Sequence, residues 1–268
     1  MFSTLLALLS VATFSCALHL PVDPELLLKK GPINNRIVGG EDTPIETIPW
    51  QVLLLKLGRP YCGGVVYSKN IIITAAHCVC DNYANILDPK IFDVRVGSST
   101  SNNGGSVIKV AKTIVHDRFT LYPIIEYDIA LILLSSPLEM GPTVKAIPLA
   151  DSIPNDGASA IVSGWGYTET GESPLHLKSV YVNIVNREEC ARAYNIESSK
   201  ATICAASPWK GFCNADSGGP LTYNGKLVGI VSFGPTKPCG HPNVPGVYAD
   251  VVELRKWIEE EAKKLSST

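Results

Sequence analysis

Asn214-Ala215-Asp216-Ser217-Gly218-Gly219-Pro220 sets a serine between an acidic residue and a Gly-Gly-Pro turn. Such a turn holds one side chain on a rigid, sharply bent backbone. A serine hydroxyl is a weak nucleophile until a base takes its proton and an acid orients that base. Both partners stand upstream: His77 in Thr74-Ala75-Ala76-His77-Cys78, and Asp128 in Tyr127-Asp128-Ile129-Ala130-Leu131-Ile132. A Ser-Gly-Gly alone reads as an ordinary turn. Three boxes in the order His, Asp, Ser match a nucleophile, its base and the acid that orients it.

The rest of the chain is compatible with such a site. Of 268 residues, 46% are hydrophobic and 18% charged, the balance of a globular chain with a good core. The net charge is −2 and no basic cluster occurs, which argues against a nucleic-acid partner. Residues 1–17 are apolar and Leu-rich and end in Ser15-Cys16-Ala17, the small residues that suit signal peptidase. No later stretch reaches the roughly 18 apolar residues of a membrane span. The expected protein is secreted and has no membrane partner.

Secretion changes how the cysteines read, because disulfides persist outside the cell. Cys16 leaves with the signal, and Cys62, Cys78, Cys80, Cys190, Cys204, Cys213 and Cys239 remain. Sequence alone does not give their connectivity. A zinc site from His77, Cys78 and Cys80 is a weaker reading, since Cys-x-Cys is not the usual ligand spacing.

Residues 18–36 form a short Pro-containing segment of mixed polarity ending in Asn34-Asn35-Arg36, directly before Ile37-Val38-Gly39-Gly40. Beyond it, short alternating or apolar runs recur between turns, at 51–57, 63–67, 71–74, 92–96, 106–114, 130–134, 158–164, 179–185, 227–233 and 246–250. Many short strands separated by Gly and Pro predict an antiparallel sandwich or barrel. Residues 251–265 carry Leu254, Trp257, Ile258, Ala262 and Leu265 at helical spacing. They predict a docked C-terminal helix with no catalytic role.

The joint occurrence of Ile37-Val38-Gly39-Gly40 with the His77, Asp128 and Ser217 boxes resembles the trypsin/chymotrypsin family of secreted serine endopeptidases, from Ile37 to the C-terminus. The resemblance implies an all-β fold: two six-stranded antiparallel β-barrels packed together, with a C-terminal helix. It divides the chain into a signal peptide (1–17), an activation propeptide (18–36) and a protease domain (37–268). Within that domain barrel one takes about 37–140, barrel two about 141–250, and the helix about 251–265. Ser217 would attack the scissile carbonyl, with His77 as base and Asp128 behind the imidazole. The N–H groups of Ala215 and Ser217 would form the oxyanion hole. Cleavage after Arg36 by an activating protease would free the amino group of Ile37 to pair with Asp216. The implied disulfides are Cys62–Cys78, Cys190–Cys204 and Cys213–Cys239. Cys80 is left over, open to a buried thiol, a link to another chain or a reactive site. Implied partners are protein or peptide substrates and protein inhibitors of a monomer, with no cofactor.

Departures from the family pattern refine this. The family has glycine where Ala215 stands, and a methyl group there restricts the backbone; a positive φ would cost about 1 kcal/mol. If that amide turned away, losing an oxyanion donor would cost about 10²–10³ in rate. An active but selective enzyme is expected. Trypsins place Asp six residues before the nucleophile, where this chain has Gly211 followed by Phe212. Without that carboxylate, cleavage after Arg or Lys is disfavoured. Gly234 and Gly246 leave the pocket open and Phe212 partly fills it, predicting apolar primary specificity. Lys210 beside the floor reads as solvated. Ser232-Phe233-Gly234 matches the strand that pairs with the substrate backbone. The stretch 97–108 has no Asp or Glu, so no calcium or other metal site is expected. His116, His176 and His241 read as surface or loop residues. The competing reading is a catalytically impaired homologue acting as a protein-binding module, which Ala215 alone favours. A lipase-type hydrolase would need Gly-x-Ser-x-Gly and another chain order.

Overall fold

The computed structural model describes residues 37–167, 174–235 and 237–267. The leader and propeptide expected over residues 1–36, including Arg36, lie outside the described residues. Strands β2 (Gln51–Lys56), β3 (Arg59–Val66), β4 (Ile71–Thr74), β5 (Phe92–Val96), β6 (Ser106–Val115) and β7 (Ala130–Leu134) close into one antiparallel barrel, ordered β2-β3-β4-β7-β6-β5. Its hairpins follow from turn chemistry. Lys56 pairs with Arg59 across Leu57-Gly58, whose φ values of 52° and 74° suit the tight turn that matches strand twist.

The second barrel comprises β8 (Ser159–Gly164), β9 (Lys178–Val185), β10 (Thr202–Ala206), β11 (Pro220–Tyr223), β12 (Lys226–Phe233) and β13 (Gly246–Asp250). Their order β9-β10-β13-β12-β11-β8 is closed by the β8–β9 pairing. Six antiparallel strands in each barrel, and a terminal helix, make the two-barrel architecture.

Each barrel is gripped by an end of the chain that sequence order assigns elsewhere. β1 (Glu41–Asp42), expected with the first barrel, pairs with β9 of the second. Ile37, wholly buried, shares a core cluster with Val162, Phe212, Leu221 and Tyr248 of the second barrel. Conversely, α3 (Val251–Ser266) leaves the last strand of the second barrel and buries Leu254, Ile258, Ala262 and Leu265 in the cluster that holds Ile72, Leu131 and Ile132 of the first. The amphipathic spacing that predicts this helix therefore faces a core shared by both barrels, since the same cluster holds Leu227, Ile230 and Ala249 of the second. Each within a single core cluster, disulfides join Cys62–Cys78, Cys190–Cys204 and Cys213–Cys239, spanning 16, 14 and 26 residues. A bridge across a loop of that size stabilises a fold by about 3 kcal/mol in the chain-entropy account. Among the described residues no helix is long and apolar enough to cross a membrane.

Asp250 fixes where α3 begins. Its Oδ1 accepts from the N–H of Val252 (2.9 Å) and Glu253 (3.2 Å), and its Oδ2 from Arg187 Nη2 (2.8 Å). Arg187 opens α2 (Arg187–Tyr194), so this one buried carboxylate ties both helices to the second barrel. Asp250→Ala removes a cap worth about 1 kcal/mol and strands the half-buried guanidinium. The expected loss is about 2–3 kcal/mol, read as a lowered urea midpoint with an unchanged slope.

Candidate active site

Ala75-Ala76-His77 leaves β4 through extended backbone at Ala75 and enters the single-turn helix α1 (Ala76–Val79). That turn aims the imidazole at the segment before β7. His77 Nδ1 lies 2.7 Å from Asp128 Oδ2, and the His77 backbone N–H donates to Asp128 Oδ1 at 2.9 Å. Asp128 is 2% exposed, so its charge must be met inside the protein. A third donor comes from the other barrel: Ser232 Oγ on β12 donates to Asp128 Oδ2 at 2.5 Å.

These contacts set the protonation states. Burial would raise the Asp128 carboxyl pKa, but the His77 charge and the hydrogen bonds from His77 and Ser232 hold it below the usual carboxylate value. Burial likewise would lower the His77 ring, and the Asp128 charge and hydrogen bond reverse that, leaving the net shift upward. The ring is thereby a stronger base than an isolated imidazole.

Ser217 sits at the tip of a turn fastened to both barrels. Its carbonyl accepts from Gly63 N (2.7 Å) on β3, while Gly218 N donates to Val231 O (2.8 Å) on β12. Glycine is required at 218, where φ is 82° and a Cβ would lie 2.6 Å from Gly63 O and overlap Thr74 Oγ1. The Ser217 carbonyl also lies 3.6 Å from Cys78 Sγ, next to His77 in the chain. Among the described residues Ser217 Oγ makes no hydrogen bond, to the ring or otherwise. Nor does any described acceptor take the backbone N–H of Ala215 or Ser217. Ala215 adopts φ 74°, the left-handed conformation its methyl group disfavours.

Behind this turn Asp216 is wholly buried, accepting from Gly166 N (2.7 Å) and Cys213 N (2.9 Å). Burial pushes its carboxyl up to about 7 against the lowering effect of those two bonds. Side chains on Gly164 or Gly166 would overlap the carboxylate, so two glycines make its cradle. Ile37 and Val38 run past this region, and Gly211 N donates to Val38 O at 3.1 Å.

The recess that Gly211 and Gly246 line is occupied from within. The Phe212 ring lies between Gly234 and Gly246: a Cβ on Gly234 would come 2.9 Å from Cζ, and one on Gly246 would overlap Cε1. Tyr248 meets the ring edge-on at 5.2 Å and 82°. Gly211, Pro235, Gly240 and Val244 line the space left around it, a cavity of only about 10 Å³. Lys210 is exposed and lies against Gly39, and it lines the rim of the same cavity together with His241. Phe233, expected to line the substrate strand, packs edge-on against Tyr194 at 5.4 Å and 76°.

One sequence expectation is corrected, and one reading set aside there is excluded. His116 is buried (7% exposed), with its ring 4.9 Å from that of Tyr127 and 4.8 Å from that of Trp257. The aromatic partners lie 11 and 141 positions away in the chain, too far for local pattern to show. The zinc reading of His77, Cys78 and Cys80 fails because Cys78 is spent in a disulfide. The donor atoms that do cluster are Cys62, His77 and Cys78, and both sulfurs are bonded to each other. Cys80 is a buried thiol that burial, then the charges of Asp128 and Asp81, push up to about 11. It stays protonated and a poor nucleophile. In the stretch 97–108, Arg95 donates to the carbonyls of Gly104 (2.6 Å) and Asn102 (3.4 Å). The link from Ser232 to Asp128 escaped the sequence reading, which placed Ser232 only on the substrate strand.

Two closed barrels with a His–Asp pair and a serine turn at their junction define the chymotrypsin-like serine endopeptidases. The Trypsin family model matches residues 37–258. The chain is 45% identical to Hypodermin-A of Hypoderma lineatum over 237 residues, 87% of this chain and 90% of that protein. It is 44% identical to Trypsin alpha of Drosophila melanogaster over 255 residues, 93% of this chain and 95% of that one. Among solved structures, neuropsin, described as a serine protease expressed in the limbic system of mouse brain, superposes with a TM-score of 0.75. That match has 32% identity and covers 83% of this chain and 98% of the other. The chain belongs to the trypsin family of serine endopeptidases.

Ser232→Ala removes one of three donors to the Asp128 charge. A hydrogen bond to a charged group contributes about 1.5–3 kcal/mol. The expected outcome is a fall in kcat of roughly tenfold at nearly constant KM, measured by steady-state hydrolysis of a peptide ester.

Proposed function

We propose that the chain is a secreted zymogen that hydrolyses peptide bonds through Ser217, His77 and Asp128, with apolar primary specificity. The observation that carries this reading is the Asp128–His77 pair at 2.7 Å, set beside a serine turn whose neighbouring amides are unclaimed among the described residues. In the reaction, the raised basicity of His77 lets it take the Ser217 proton as Oγ attacks the carbonyl carbon. Asp128 holds the Nδ1 tautomer and stabilises the imidazolium. The imidazolium then gives its proton to the leaving amine, and water repeats the sequence to release the acid. The N–H groups of Ala215 and Ser217 would hold the developing oxyanion. The positive φ of Ala215 supports an intact hole despite the methyl group.

Activation follows from the Asp216 pocket. A carboxyl that burial raises to about 7 is a poor anion until a cation arrives. Cleavage after Arg36 would supply one, the new ammonium group of Ile37, whose side chain already belongs to the second barrel's core. The leader (1–17) and three disulfides support export to an oxidising compartment. Protein or peptide substrates, an activating protease and protein inhibitors are the partners of this reading; no cofactor takes part.

After cleavage at Arg36, a fluorophosphonate probe is expected to label the wild type, and Ser217→Ala to abolish labelling. An unlabelled, folded, cleaved wild type would instead make the chain a binding module, the reading that Ala215 favours.

Specificity is where this chain parts from relatives named trypsins. With Gly211 at the floor and the Phe212 ring between the walls, no carboxylate and little room greet a basic side chain. Small and medium apolar side chains before the scissile bond fit what is left. A peptide-library cleavage profile should show that preference, and Phe212→Ala should raise kcat/KM for aromatic residues at least tenfold. A wild-type preference for Arg or Lys contradicts the reading.

A further inference from the structure

We propose that Tyr127 is a positioning residue for Asp128, clamped by a column of side chains that reaches into the C-terminal helix. The inference rests on the catalytic reading of Asp128 given above. Asp128 sits at the centre of a three-residue turn: Ile129 N donates to Tyr127 O at 2.8 Å. Tyr127 enters that turn with φ 51°, a left-handed conformation that a bulky side chain disfavours. A turn of this shape persists only where its surroundings over-determine it.

The surroundings do so through the Tyr127 ring. The Arg118 guanidinium lies over it at 4.0 Å, a cation–π contact. The His116 ring stacks on it at 4.9 Å and 27° between planes. His116 in turn meets Trp257, on α3, at 4.8 Å. The backbone repeats the clamp, since His116 N donates to Ile129 O at 3.1 Å, one residue beyond Asp128. Arg118 N donates to His116 Nδ1 at 3.1 Å, which suits a neutral ring. Arg118, Tyr127, His116 and Trp257 thus bracket the turn from two elements. Three hydrogen bonds converge on the two oxygens of Asp128, so a small rotation of this turn would loosen the Nδ1 contact first. The helix at the chain's end therefore helps aim the acid of the site.

The test compares activated full-length variants on a peptide ester, with melting curves to establish folding. Tyr127→Ala is expected to lower kcat 10- to 100-fold with KM within twofold of wild type. The acid limb of the pH–kcat/KM profile should also move to lower pH, because His77 loses part of the Asp128 charge that raises it. Tyr127→Phe should keep wild-type kcat, since the ring and not the hydroxyl does the clamping. Tyr127→Gly, which relieves the left-handed backbone while removing the ring, should match the Ala variant. Trp257→Leu should give a smaller fall in the same direction, and it carries the test if the Tyr127 variants do not fold. Asp128→Asn is the reference: if it leaves kcat intact, the catalytic reading itself is wrong. If Asp128→Asn collapses kcat while folded Tyr127→Gly or Trp257→Leu keeps kcat and pH profile, the positioning inference is overturned alone. A Phe variant as defective as Ala also overturns it.

Discussion

The Asp128 carboxylate accepts from the backbone and the ring of His77 in one barrel and from Ser232 in the other. An ionised carboxyl with almost no solvent contact is tolerable only if every donor stays in place. The barrels cannot slide without breaking the Ser232 bond, and the His77 ring cannot turn without losing its bond to Asp128. One buried charge thus sets the register between two separately closed sheets. The Ser217 turn obeys the same constraint, because its carbonyl and the following N–H bind opposite barrels.

Two other buried carboxyls show the principle at other strengths. Asp250 has an arginine and two helix amides, and burial still raises it to about 6. Asp216 has only two amides and is raised to about 7. The ranking tracks how completely each charge is compensated, with Asp128 the only one of the three held below its ordinary value.

The run at 92–96 alternates between a buried and a half-buried face, whereas those at 51–56, 71–74 and 130–134 are near-continuous apolar strands buried on both faces. β10 and β11 escaped that reading for physical reasons. Thr202–Ala206 is short and dominated by alanine and cysteine, and Pro220–Tyr223 starts on a proline inside the serine box, where turn signals dominate. The His77, Asp128 and Ser217 boxes stand out because each is a local chemical signature. The burial of His116, the exchange of chain ends between barrels and the Ser232 bond are long-range events. The partners lie from 11 to 141 positions apart and follow no repeat, so no periodicity could expose them.

The ring of Phe212, wedged between two strand glycines, has a consequence for how this scaffold could change its diet. Grafting an aspartate at position 211 would not by itself convert the enzyme to cutting after arginine. The new carboxylate would share its cavity with the Phe212 ring and with Lys210 and His241, which leaves little room for an arriving arginine. Acquiring a basic preference would require the plug to shrink before the charge arrives. The order of those two steps is dictated by sterics.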